Sequence, residues 1–468
     1  MTLDFLTVLG LEDQAIETEP IVHWDALEER LTRGVRVIGD AEQAQVLAAV
    51  VGLDYVGLSN AMALRRAGVR TVGIETSPSR LRDIRSGRAG LPGAQGEELR
   101  GARDDADFVL TDTVEAIDTA DLVLICVPTT LDRQRRPNLD ALRRACASVA
   151  QYARAGQTLV LSSTAYVGST RELLAEPLAQ RGLRVGEDVF VACSPPRVEP
   201  GVPDRGLQQP PLVVGGVTEA CLRRASELLG HICSEVHAVS SLEAAEMVKL
   251  YEGAFRAVNV AFAFEMADAC RTQGVDAVEI AEAAATRPPG QIEHCPSAGI
   301  AAHRVGVDPR YLLHPLTERG RTAKLTEEAV RQVDARPRRL AMRAHELLLR
   351  SARDLRDARV LVVGASSEPG VAEGRDAPAV EIIERLQTAG VQVDFHDPRV
   401  PVLFIDGEEM YGVDPDPRRD ASGFGPEDYD LAILLARRPG HNYGWLRRCP
   451  QVLDCTYREH TGRRRFLP

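Results

Sequence analysis

Apolar residues fall in short runs set between stretches of helical spacing. From Val46 the pattern reads strand (VLAAVVG), turn, helix (LSNAMALRRAG), strand (RTVGIE), which predicts a right-handed βαβ unit. Further strand-like runs follow at ADFVLT, ADLVLICVP, GQTLVLSS and DVFVACS. Their alternation with helical pattern predicts a doubly wound parallel sheet to about residue 235. Residues 241–275 and 323–355 each carry apolar residues at helical spacing and predict a helical middle section. At Ala358 a second α/β unit opens with RVLVVGASSEPG, continues through PAVEIIERLQTAG and VQVDFHD, and ends in LAILLA and VLDC. The expected fold is α/β: two Rossmann-like doubly wound domains joined by a long central helical segment. The boundaries read as an extension over 1–44, a first domain over 45–235, a helical domain over 236–356 and a second Rossmann-like domain over 357–468.

Composition narrows the function. A net charge of −12 supplies no field to hold a nucleic-acid backbone, so a small-molecule partner is expected. No apolar run reaches the ~18 residues of a membrane span, and the N-terminus lacks a signal-peptide layout, which together predict a cytoplasmic protein with no membrane partner. The nine cysteines never fall as C-x-x-C, so neither a disulfide framework nor a metal site is expected. Of 56 basic residues only Lys249 and Lys324 are lysines. A lysine kept in such a sequence invites a role that arginine cannot fill, namely losing and regaining a proton near neutral pH.

The first turn reads Gly52-Leu53-Asp54-Tyr55-Val56-Gly57 between strand and helix, with Glu75 closing the next strand. That is the context of a dinucleotide fingerprint, and the acid at 75 favours the ribose hydroxyls of NAD. The middle glycine is replaced by Asp54, whose side chain crowds the phosphate and whose charge opposes it; a plain βαβ turn with no ligand is the other reading.

Seven segments in order then resemble the UDP-glucose/UDP-N-acetylmannosamine 6-dehydrogenase family: VVGLDYVGLSNA, CVPTTLD, SSTAYVGST, CSPPRVEPG, AEMVKLYEGAFRAVNVAFAFE, PSAGIAAHRVGVDPRYL and GASSEPGVAEGRDAP. The resemblance runs from about residue 46 to the C-terminus. It implies NAD as cofactor, held by the first turn, by Val127-Pro128-Thr129 and by Thr164, with nucleotide-sugar binding in the C-terminal domain. It also implies a homodimer built on the long middle helix; the stripe Val248, Phe255, Phe262 is compatible, or faces its own core.

Family enzymes oxidise a UDP-sugar alcohol twice, capturing the intermediate aldehyde on a cysteine. In this chain the cysteine position is Arg304, the glutamate of S-P-E-R is Pro196, the asparagine one turn after the lysine is Gly253, and the lysine of the C-terminal loop is Glu368. By the same resemblance Lys249 matches the alkoxide-stabilising lysine, Thr164 the S-T threonine, Asp308 the aspartate after the lost cysteine, and Arg375 the arginine that contacts the nucleotide. Lys249, Arg256, Arg304 and Arg375 are the substrate-binding candidates, and Lys249, Thr164, Asp308, Tyr166 and His303 the catalytic ones. Each has a bland alternative: a surface cation for Lys249, turn and cap bonds for Thr164 and Asp308, a solvated loop charge for Arg375, packing for Tyr166, a structural bond for His303. Cys295 is a further candidate, as a relocated nucleophile.

Without the thiol the chemistry is expected to stop at a carbonyl. Three readings stay open: transient oxidation of a sugar hydroxyl of a nucleoside or nucleotide sugar, with elimination or epimerisation and return of the hydride; an inactive homologue serving as binding or oligomerisation partner; and a two-electron alcohol dehydrogenase.

Overall fold

The computed structural model describes residues 46–87, 93–102, 105–132, 134–197, 211–286, 306–350, 354–365, 377–415, 425–438, 440–457 and 465–466. The chain divides into Met1–Gln43 and Ala44–Pro468, and every described residue belongs to the second unit.

Eight strands form the first sheet: β1 (Leu47–Val51), β2 (Arg70–Ile74), β3 (Phe108–Thr111), β4 (Leu122–Ile125), β5 (Thr158–Leu161), β6 (Phe190–Cys193), β7 (Leu212–Gly216) and β8 (Val236–Ala238). Their order is β8-β7-β6-β5-β4-β1-β2-β3, reversing at β1 and β4 as a doubly wound sheet does. The strands β1 to β6 run parallel, whereas β7 is antiparallel to β6. Along β1, Ala48 and Val50 enter one core while Ala49 and Val51 enter the other. Burial on both faces explains why these strands read as continuous apolar runs. Helices α1 (Tyr55–Arg66) and α4 (Glu219–Leu229) cover the first face, and α3 (Asp140–Tyr152) covers the second. The short helix α2 (Pro78–Arg85) follows β2. Strands β7 and β8 escape the sequence pattern because β7 (LVVGG) ends in two glycines and β8 has three residues.

The central helix α5 (Leu242–Gln273) has 32 residues, opened by Ser241, whose hydroxyl accepts Ala244 N–H, and closed by Gly274 at φ 72°. The pattern over 323–355 is two helices, α7 (Lys324–Asp334) and α8 (Arg336–Arg350), rather than one. Pro337 in the first turn of α8 lacks an amide hydrogen, and the buried Arg336 turns inward to donate to Tyr457 Oη at 2.9 Å while stacking on Phe264. Between α5 and α7 lies α6 (Asp308–Glu318), whose Tyr311 packs with Leu250.

The stripe expected on α5 divides. Val248 packs beside Cys193, Val213 and Leu242, so it faces its own core. Phe255 and Phe262 are exposed, at 46% and 56%, in line with Met247, Tyr251 and Met266.

The second sheet is all parallel, in the order β10-β9-β11-β12-β13, from β9 (Arg359–Val363), β10 (Gln392–His396), β11 (Leu431–Leu434), β12 (Val452–Asp454) and β13 (Arg465–Phe466). Its core is shared with α8 and α9 (Pro378–Thr388). Among the described residues, no helix is long and apolar enough to cross a membrane.

Candidate functional site

The carboxyl ends of β1, β4, β5 and β6 converge with the first half of α5, and the chemistry gathers there. Gly52 leaves β1 at φ 89°, and a Cβ on it would stand 2.9 Å from Cys126 O. A Cβ on Gly57 would stand 1.8 Å from Gly52 O, so helix and strand approach as closely as backbone allows. Both outer glycines of the fingerprint are therefore structurally required.

Asp54 occupies the N-cap of α1, and its Oδ1 accepts the Gly57 N–H at 3.0 Å. Burial pushes this carboxyl up to about 6; the Gly57 and Val56 amides and Arg80 oppose the shift, and Glu75 adds to it. Glu75 follows β2 with its two oxygens on backbone amides, Leu53 N–H at 3.1 Å and Ser77 N–H at 2.8 Å. Arg80 from α2 donates to Leu53 O at 3.1 Å. Glu75 thus braces the loop, and its remaining lone pairs are acceptors for hydroxyls.

After β4, Val127-Pro128-Thr129 runs into a small hairpin, Thr130–Leu131 with Pro137–Asn138. Ser163 Oγ donates to Val127 O at 2.8 Å, joining this turn to the loop that carries Thr164. Tyr311 Oη donates toward Thr130 O and Asn138 O at 3.2 Å each, bringing α6 to the same hairpin.

On α5, Lys249 Nζ lies 3.5 Å from Asp308 Oδ2. Asp308 opens α6 and is buried, and burial raises its carboxyl to about 6 against the pull of Lys249 and Arg256; Glu252 adds to the rise. A Cβ on Gly253 would stand 2.5 Å from Asp308 Cβ. The missing side chain at 253 is what admits Asp308 to the face of α5 that bears Lys249.

Tyr166 does not join this pair. Its hydroxyl bonds the Glu172 carboxylate, and burial together with Glu172 pushes the phenol well above its usual range, with Arg143 opposing. The partner this phenol has among the described residues is Glu172, not Lys249. His303, Arg304, Cys295, Glu368 and Arg375 lie outside the described residues.

Two acids at the site escape the sequence reading. Glu246, buried on α5, accepts from Ser169 Oγ at 2.9 Å, from Thr170 N and Oγ1 at 2.7 Å each, and from Gly168 N. It latches the Thr164 loop to the helix that bears Lys249. Glu252 accepts from Arg197, whose other nitrogen donates to Pro211 O at 3.0 Å. The available signal was position: Glu246 and Glu252 flank Lys249 at three-residue spacing, on its helix face.

A tight glycine turn, an acid closing β2 and a helix N-terminus at a topological switch point define a dinucleotide-binding α/β protein. The NAD-binding domain of the UDP-glucose/GDP-mannose dehydrogenase family matches residues 46–233, and that family's central domain matches residues 243–335. The chain is 31% identical to a UDP-N-acetyl-D-mannosamine dehydrogenase of Pyrococcus horikoshii, over 75% of this chain and 83% of the relative. It is 28% identical to a UDP-N-acetyl-D-glucosamine 6-dehydrogenase of Pseudomonas aeruginosa, over 78% of this chain and 86% of the relative. The solved structure of a UDP-D-ManNAc dehydrogenase from Pyrococcus horikoshii superposes with a TM-score of 0.79 at 26% identity, covering 90% of this chain and 98% of that one. The chain belongs to the UDP-glucose/GDP-mannose dehydrogenase family, and its cofactor is NAD. The frame fits that cofactor at Gly52, Gly57 and Glu75; only the Asp54 carboxylate stands against the diphosphate.

Proposed function

We propose that this chain is an NAD-dependent enzyme that removes one hydride from a hydroxyl-bearing carbon of a nucleotide sugar, holds the carbonyl without a thiol, and returns the hydride after elimination or epimerisation. The observation that carries the reading is the pair of the half-buried Lys249 and the buried Asp308 at 3.5 Å. NAD, when bound, supplies the hydride acceptor. The sugar hydroxyl gives its proton to the pair, with Asp308 as an acceptor whose range lies near neutrality. The carbonyl acidifies the neighbouring C–H, and the pair, having passed the hydroxyl proton to solvent, takes that one. Either a leaving group departs from the next carbon or a proton from solvent adds on the opposite face. Thr164, on the loop that Glu246 ties to α5, together with Arg256 and Arg197, supplies substrate contacts. Arg304 at the family's cysteine position and Pro196 at its glutamate position remove the groups for the second oxidation.

The exposed line Met247, Tyr251, Phe255, Phe262, Met266 supports a homodimer across α5. The Asp54 carboxylate on the Gly57 amide favours a second reading, a catalytically inactive partner of an active dehydrogenase.

The test is incubation with NAD and UDP-hexoses in D2O, followed by mass spectrometry and NADH absorbance. Deuterium entry or loss of water without accumulating NADH supports the proposal. Two NADH per sugar with a uronate product overturns it, and accumulation of one NADH with a released aldehyde assigns the two-electron dehydrogenase instead.

A further inference from the structure

We infer that Asp54 is a built-in competitor of the cofactor: its carboxylate holds the amide seat at the start of α1 that the dinucleotide's diphosphate takes, so that NAD binding requires this group to be protonated or displaced. The inference rests on the assignment of NAD to this turn.

A diphosphate at the first turn of a helix is held by the free N–H groups there and by the positive end of the helix dipole. In this chain the Gly57 N–H already donates to Asp54 Oδ1 at 3.0 Å, and the Val56 N–H also favours the carboxylate. The 12-residue helix α1 therefore carries its own anion. The groups that face it come from each neighbouring element. Arg80 of α2 is the cation, held at the loop by its bond to Leu53 O. Glu75 after β2 is the second acid, fixed on the Leu53 and Ser77 amides. Cys126 after β4 is a buried thiol pushed up to about 12 by burial, and it stays neutral. With Glu75 tied to two amides and the thiol neutral, Asp54 is the group able to yield.

Burial has already raised Asp54 to about 6, and a neighbouring diphosphate adds negative charge that raises it further. The neutral carboxyl presents an O–H donor to a phosphate oxygen where the carboxylate presented only repulsion. Binding above that range is therefore coupled to uptake of a proton, and affinity falls about tenfold per pH unit.

The experiment is calorimetric titration of the full chain with NAD at several pH values and in buffers of different ionisation enthalpy. Wild type is expected to bind roughly 25-fold more weakly at about pH 7.5 than at about pH 5.5, taking up close to one proton per NAD at the higher pH. Asp54→Gly removes charge and bulk; Asp54→Asn keeps a capping oxygen without the charge. Both variants are expected to bind NAD at least about tenfold more tightly than wild type at pH 7.5, with flat pH dependence and no proton uptake. Wild type binding NAD with no pH dependence, matched by Asp54→Gly, overturns the inference while leaving the cofactor assignment intact. Absence of binding by wild type and both variants at every pH overturns both.

Discussion

At position 253 the chain has a glycine whose Cβ would stand 2.5 Å from Asp308 Cβ. Gly253→Asn forces α6 away from α5 and is expected to destabilise the protein by about 1–3 kcal/mol; urea unfolding measures it. Lys249→Ala is expected to lower turnover by about 10²-fold or more, with Lys249→Arg giving no rescue, because an arginine cannot exchange the proton; steady-state kinetics on the substrate found by the D2O screen measures both. Scarcity and a motif singled out Lys249, and a motif Asp308, but nothing in the sequence marked the contact between them. It depends on an absent side chain, which no pattern of polar and apolar residues records. Tyr166 shows the same gap: spacing singled it out beside Thr164, yet the direction of a phenol is set by its partner, Glu172, which the sequence does not mark as one.

At the scale of elements, α5 and the loop after β5 act as one piece because Glu246 accepts from Gly168, Ser169 and Thr170. Glu246→Ala strands buried donors on that loop, and the expected loss is about 3 kcal/mol, read as a lowered thermal midpoint. Glu246→Gln keeps the shape but places an amide N–H against donors, so it is expected to fall between. The bounds of α5 followed closely from its apolar spacing, and strands β1, β4 and β5 followed from their continuous runs, since a strand buried on both faces has few polar positions to blur it. The break between α7 and α8 was hidden because both helices keep apolar spacing across it. Pro337 in the first turn of α8 and the inward turn of Arg336 onto Phe264 and Tyr457 separate them.

For the whole molecule, a dimer across the exposed line on α5 predicts that Phe262→Glu shifts the chain toward monomer in sedimentation, whereas an unchanged mass counts against that dimer. Stability carries a pH signature as well. Asp54 sits at about 6 when folded, above the ~3.9 of an unfolded aspartate, so the folded chain binds its proton more tightly. Its contribution is fully present below about pH 4 and is lost as pH rises through about 6. The stability of Asp54→Asn relative to wild type is therefore expected to rise across that window, as followed by urea unfolding. The order of the two sheets and the helices between them was legible because each element answers to local periodicity. The latches between elements were not, since Glu246, Glu252 and Arg336 find partners tens of residues away. Cofactor retention in this altered turn decides between a redox enzyme and an inactive partner. Protein purified near pH 6, denatured and assayed for nicotinamide, is expected to release about one NAD or NADH per chain, or to fill to that level when NAD is added. Protein that releases none and takes up none at that pH contradicts the account and leaves the inactive-partner reading.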